Sequence, residues 1–419
     1  MMTRRVVITG LGVISPVGKT PDEFFNNLMA GHSGIKRLNT PFIDKLSIRI
    51  GAPVENFTPT DYFTKIQLSG IERFSQFALV AAQQAVQDAQ LELNSEAEQD
   101  RAGIFMGSCM GGACTLEDGY VEMFLKENPR IKPLSVLLNM NNAAASQISI
   151  KYRLRGPNVT YATACSSSAI AIGEAYRQIK HGYCDVMLAG GSEALLTLGA
   201  MKAWEALRTL ALEDTEDASA SCKPFSKNRS GLVLGEGAAV LVLEDAERAV
   251  KRGAKIYAEL VGYDCSSDSS HITKPDAVGQ SRTMRKALQE SGLALQDIGY
   301  INAHGTATLA GDIQETMAIK QVFGEHAANI PVSSTKSMHG HLMGATGAVE
   351  FMAAILALEN NAIPPTTNLH HPDPECDLDY VPNEGRYNVP LNAVMSNSFA
   401  FGGSNAVLIA KRFVWQASD

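Results

Sequence analysis

Cys165 lies in Thr163-Ala164-Cys165-Ser166-Ser167, between a strand-like run, Val159–Thr163, and a run of small residues reaching Lys180 that reads as a helix. A buried Cys is most often a small hydrophobe. At a strand-to-helix elbow the setting differs: small flanks permit the sharp turn, as in hydrolase nucleophile elbows. The free N–H groups and partial positive charge of a helix start favour thiolate over thiol. They can also hold a thioester oxyanion. Two imidazoles could serve such a nucleophile. His304 follows a predicted strand in Ala303-His304-Gly305-Thr306-Ala307-Thr308, and His341 ends His339-Gly340-His341. Either alone reads as a hydrogen-bonded structural His. His339-Gly340-His341 also has metal-ligand character, but no further ligand at useful spacing accompanies it. Asn397-Ser398-Phe399-Ala400-Phe401-Gly402-Gly403 is a Gly-rich turn able to aim a backbone N–H at a ligand.

The surrounding pattern must bring these groups together. Strands are expected at Arg5–Gly10, Ala102–Gly107, Val159–Thr163, Val186–Gly191 and Ala238–Leu243, then at Ile256–Gly262, Ile298–Ala303, Ile330–Ser334 and Ala406–Ala410. Helices are expected at Pro21–Ala30, Phe74–Gln90, Cys165–Lys180, Gln280–Ser291, Gly311–Val322 and Gly344–Leu358. Alternating strands and helices imply a layered α/β fold. The two halves rhyme: each has a strand, a reactive side chain at a turn, then a helix rich in Ala and Gly. The expected division is 1–254, carrying the Cys, and 255–419, carrying both His, as two similar layers packed face to face. Gly10-Leu11-Gly12 reads as a tight turn. It is not a dinucleotide fingerprint, because the third Gly is absent and Pro16 follows.

Composition sets outer limits. The chain has 419 residues, 45% hydrophobic and 19% charged, an ordinary globular mix. A net charge of -8 speaks against a bulk preference for nucleic acid. The seven Cys include no CxxC pair, which points to a reducing, cytoplasmic setting. The apolar run after Arg4-Arg5 is broken too early for a signal peptide. No apolar run reaches the roughly 18 residues a membrane span needs.

Four motifs stand in order: Thr163-Ala164-Cys165-Ser166-Ser167; His304-Gly305-Thr306-Ala307-Thr308 with Gly311-Asp312; Lys336-Ser337-Met338 with Gly340-His341; and Asn397-Ser398-Phe399 with Phe401-Gly402-Gly403. Together they resemble the β-ketoacyl-[acyl-carrier-protein] synthases of type II fatty-acid synthesis, nearly end to end. The Cys/His/His set is similar to the elongating synthases, and Pro364-Pro365-Thr366 to the synthase II branch.

The resemblance implies a thiolase-like αβαβα sandwich, a homodimer (a heterodimer in some branches) and an acyl-carrier-protein partner with its phosphopantetheine arm. It implies no metal or other cofactor. Cys165 would take the acyl group; His304 and His341 would hydrogen-bond the malonyl thioester as it decarboxylates. Lys336, ion-paired with Glu350, would support the His pair. The N–H groups of Cys165 and Phe401 would form an oxyanion hole. Phe401 would also gate entry beside Phe399, Thr306 and Thr308 would bind the arm, and Met110 would line the acyl pocket.

Several positions depart from the family pattern. Ser166-Ser167-Ser168 replaces Thr-Ser-Gly, His339 stands for Thr and Leu309 for Pro. The carrier patch thins to Lys65 and Arg73, with Arg130, Lys132 and Arg208 as further cations. A specialised polyketide or aryl polyene ketosynthase is the rival reading. A non-catalytic chain-length-setting subunit would lack Cys165, and thiolases use a different pair of Cys and His.

Overall fold

The structure, a computed structural model, describes residues Arg4–Trp415. Among them, ten strands form one mixed sheet: β1 (Val6–Ile14), β2 (Ala102–Gly107), β3 (Asn158–Tyr161), β4 (Val186–Glu193), β5 (Gly237–Asp245), β6 (Ala258–Ser267), β7 (Ile298–Asn302), β8 (Val332–Ser333), β9 (Ala393–Phe399) and β10 (Ser404–Lys411). From the middle outward, one half runs β1-β5-β4-β2-β3 and the other β6-β10-β9-β7-β8. The pairings match step for step: antiparallel, antiparallel, parallel, parallel in each half. The halves join edge to edge where Val6, Val7 and Ile8 of β1 pair antiparallel with Leu260, Glu259 and Ala258 of β6.

The main helices are α1 (Pro21–Met29), α2 (Arg73–Asp88), α3 (Ala143–Tyr152), α4 (Ser167–Lys180), α5 (Leu198–Leu207), α6 (Ala277–Ser291), α7 (Leu309–Phe323) and α8 (Thr346–Asn360). Helices α4 and α8 pack on each other and each touches strands of both halves, so the sheet wraps around this pair. Helix α2 covers β1, β5 and β4 from outside, with α3 beside it; α6 covers β6 and β10, with α7 beside it. Five layers result, α/β/α/β/α. The two sheet layers therefore face each other across helices rather than directly.

Residue choice follows position. Every residue of α8 from Thr346 to Leu358 is buried, as a helix enclosed on all sides requires. Strand β4 is buried along its whole length and, up to Glu193 at its end, reads as a run of small and apolar residues. The Gly10–Gly12 turn expected from sequence is instead the middle of β1. A Cβ at Gly10 would sit 2.1 Å from the carbonyl oxygen of Ala85, and one at Gly12 1.9 Å from that of Ala81. These glycines let the α2 backbone lie directly on the strand. Likewise, the turn expected at Asn397 begins only at Ala400, because β9 continues through Phe399.

Candidate active site

Strand β3 ends at Tyr161 and α4 begins at Ser167, which leaves Cys165 on the short elbow between them. Ala164 adopts φ +52, a left-handed conformation unusual for a residue with a Cβ. The serines hold it there. Ser167 donates its N–H (3.1 Å) and its Oγ–H (2.6 Å) to the Ala164 carbonyl, and Ser167 Oγ accepts from Thr163 N–H at 2.9 Å. Ser168 Oγ accepts from Ala348 N–H at 2.9 Å, tying α4 to α8. The three-serine departure is thus a staple for the turn. Below it, a Cβ at Gly107 would meet Ser168 N at 2.2 Å, and one at Gly191 would meet Ser168 Cβ at 2.5 Å.

His304 emerges two residues after β7. Its N–H and that of Gly305 donate to the two oxygens of Glu315 at 2.8 and 2.7 Å, and Asn397 Nδ2 donates to the same carboxylate at 3.1 Å. His341 follows a helical turn, Lys336–His339, and Gly340 at φ +69. The His341 Nδ1 accepts from Met343 N–H at 3.2 Å, so its ring proton sits on Nε2. That Nε2 lies 3.0 Å from Cys165 Sγ. His304 Nδ1 lies 3.5 Å from the Lys336 ammonium, which can only donate, so His304 likewise presents Nε2–H to the pocket. The rings stand nearly perpendicular, 84° apart with centroids at 5.5 Å, and sulfur and both imidazoles approach within 4.8 Å of one another.

Lys336 is buried, bonded to Glu350 Oε1 at 2.6 Å and to the His304 carbonyl at 2.5 Å. Burial, then the Lys336 charge, then a neighbouring imidazole hold His304 and His341 well below the usual 6.5, so both stay neutral. Burial pushes the Cys165 thiol up to about 11, against the Lys336 charge and the N–H groups of Phe401 and of Cys165 itself. Burial thus works against the thiolate that a helix start favours. The two N–H groups aimed at sulfur are the pair expected to hold an oxyanion.

A cavity of about 240 Å³ reaches Cys165, His304 and His341, with Thr306, Thr308, Phe399 and Phe401 in its walls. Met110, expected in the acyl pocket, does not line this cavity; it is 49% exposed in a turn whose N–H groups bond to Glu193. Sequence reading missed three groups. Trp204 on α5 stacks on Phe401, centroids 6.0 Å apart. Glu315 fixes His304. Glu193 accepts from Cys109 N–H at 2.6 Å and Gly344 N–H at 3.0 Å, joining the turn after β2 to the one before α8. A lone acid whose partners lie 84 and 151 positions away leaves no local signal.

The carrier patch needs a correction. Arg73 is not a free surface cation: its guanidinium is paired with Glu236 through two nitrogens, at 2.8 and 2.5 Å, and lies over the Phe77 ring. Lys65, Arg130, Lys132 and Arg208 are exposed. Among the described residues one cluster has the geometry to hold a metal. The Cys165/His304/His341 triangle suits a soft ion. The buried oxygens Asn302 Oδ1, Glu350 Oε2, Asn397 Oδ1 and Ser398 Oγ have no hydrogen-bond partner among the described residues.

Comparison with known proteins agrees with this geometry. The Beta-ketoacyl synthase N-terminal domain family matches residues 3–249 and its C-terminal domain family residues 257–370. A 3-oxoacyl-[acyl-carrier-protein] synthase 2 of Staphylococcus aureus is 42% identical over 98% of this chain and 99% of its own length. One of Synechocystis sp. is 42% identical over 98% of each chain. Among solved structures, the ishigamide ketosynthase/chain length factor has a TM-score of 0.91 at 34% identity, covering 98% of this chain and 100% of that one. A β-ketoacyl synthase from Burkholderia phymatum has a TM-score of 0.90 at 36% identity, with the same coverage. A type II polyketide ketosynthase in complex with its acyl-carrier protein has a TM-score of 0.89 at 33% identity, again with that coverage. This chain, with its thiolase-like layered fold, belongs to the β-ketoacyl synthase family of condensing acyltransferases.

Proposed function

We propose that this protein elongates carrier-bound acyl chains by two carbons in fatty-acid synthesis, with Cys165 as nucleophile and His304 and His341 as the paired donors for condensation. In the first half-reaction Sγ attacks the acyl thioester, and the oxyanion takes the N–H groups of Cys165 and Phe401. The carrier's thiol departs with the proton that Sγ gives up, so transfer is proton-neutral and needs no standing thiolate. In the second, malonyl-carrier protein places its thioester oxygen before both Nε2–H groups. Carbon dioxide leaves, the enolate carbon attacks the acyl carbonyl, and the C–S bond to Cys165 breaks. The thiolate so formed takes up one proton, leaving β-ketoacyl-carrier protein. Burial, and then the charge of Lys336 held by Glu350, keeps both imidazoles neutral. Thr306 and Thr308 would bind the arm, while Phe401 and Phe399 flank the entrance.

The observation that carries this reading is the 3.0 Å approach of His341 Nε2 to Cys165 Sγ with His304 beside it. Purified protein given a saturated acyl-carrier protein and malonyl-carrier protein should release carbon dioxide and a β-ketoacyl product, and Cys165→Ala should release none by condensation. A polyketide or polyene pathway is the second reading, favoured by the likeness to the ishigamide and polyketide ketosynthases. Turnover of polyene or aryl chains with none of saturated chains would select it. A homodimer acting in the cytoplasm belongs to the first reading. Exposed Phe124, Leu125, Val136 and Leu137, together with an edge of β3 that pairs with no further strand among the described residues, support a covering partner copy. Among the described residues no helix is long and apolar enough to cross a membrane.

A further inference from the structure

Lys274 is the one lysine or arginine among the residues lining the cavity that ends on Cys165. It is exposed, so it marks the end that meets solvent, whereas the sulfur is buried. Its backbone is fixed: His271 Nδ1 accepts from Thr273 N–H at 3.1 Å and from Lys274 N–H at 3.2 Å. The carboxylates nearest in sequence are already engaged. Asp268 Oδ1 accepts from Asn405 Nδ2 at 2.6 Å, and Asp276 Oδ1 caps α6 through Val278 N–H at 3.0 Å. Among the described residues Lys274 takes part in no salt bridge. A lysine with no salt-bridge partner among the described residues thus lines an exposed part of the cavity that also reaches a nucleophile for thioesters, with Asp268 in the same wall.

Resting on the condensation reading, we propose that Lys274 binds the phosphate of the phosphopantetheine arm and so makes the site prefer phosphate-bearing thioesters. The arm is a linear chain with its thioester at one end and its only charge, the phosphate, at the other. With the thioester carbon at Cys165, the hydroxyls of Thr306 and Thr308, 3.0 Å apart, stand in the cavity wall where the arm's amides can bond. The phosphate then stays at the hydrated mouth, where an ammonium needs little desolvation to meet it.

The test compares two soluble donors that differ only in the phosphate: acyl-pantetheine and acyl-4′-phosphopantetheine. The second-order rate of Cys165 acylation is read by intact mass for native protein, Lys274→Ala and Lys274→Arg. Native protein should favour the phosphorylated donor about five-fold at low salt, the scale of one exposed ion pair. Lys274→Ala should erase that preference by slowing only the phosphorylated donor, and Lys274→Arg should keep it. Equal slowing of both donors by Lys274→Ala, or a preference it leaves intact, would overturn the assignment. Failure of native protein to acylate with either donor would instead count against the condensing reading beneath it.

Discussion

The two halves of the sheet share one strand order, and each sends a helix, α4 or α8, into the central layer from a turn at the end of that order. The turns are filled in opposite ways. At the start of α4 stand small residues, one sulfur and three serines, with Ser168 close-packed against Gly107 and Gly191. Before α8 stand a lysine, two histidines and, one turn into the helix, a glutamate, all buried. The first turn is built so that a carbonyl can come close. The second confines a positive charge that, after burial itself, helps keep the imidazoles of His341 and of nearby His304 neutral as N–H donors. A duplicated scaffold thus supplies two similar helix entries, and chemistry arises because their side chains differ.

The comparison breaks most visibly if the buried charge of the second half is unpaired. Lys336→Met strands Glu350 in an apolar interior and should cost about 3–5 kcal/mol by denaturant unfolding. Pairing it with Glu350→Leu should recover most of that loss. In the first half, Gly191→Ala puts a Cβ 2.5 Å from Ser168 Cβ and 2.7 Å from the Gly344 carbonyl. It should cost about 1–3 kcal/mol and slow acylation of Cys165 with it. The smallest effect is spectroscopic. With both pKa values depressed, the NMR signals of His304 and His341 should not titrate near 6.5, the ordinary value. Each would bind a proton only well below that pH. Removing the opposing charge in Lys336→Met should move both transitions upward.

Much of the site could be read from the chain because its groups sit where element types change. Cys165 was marked by a strand-like run meeting small residues, and the helix begins two residues later. The Lys336–Glu350 pair followed from family motifs and lies at 2.6 Å. What stayed hidden depends on distant packing. Gly10 and Gly12 look like a turn until α2 is known to press on β1. Arg73 looks like a surface cation until Glu236, 163 positions on, takes both of its nitrogens. Glu193 and Glu315 satisfy loop N–H groups brought close only by the fold.

The division of labour between the two turns is tested most directly by intact mass and product analysis of Cys165→Ala and His341→Ala with acyl- and malonyl-carrier protein. The account predicts no acyl adduct on Cys165→Ala. It predicts a full adduct on His341→Ala with condensation slowed about 100-fold or more, the scale of one lost oxyanion donor. An adduct that survives in Cys165→Ala, or equal loss of loading and condensation in His341→Ala, would contradict it.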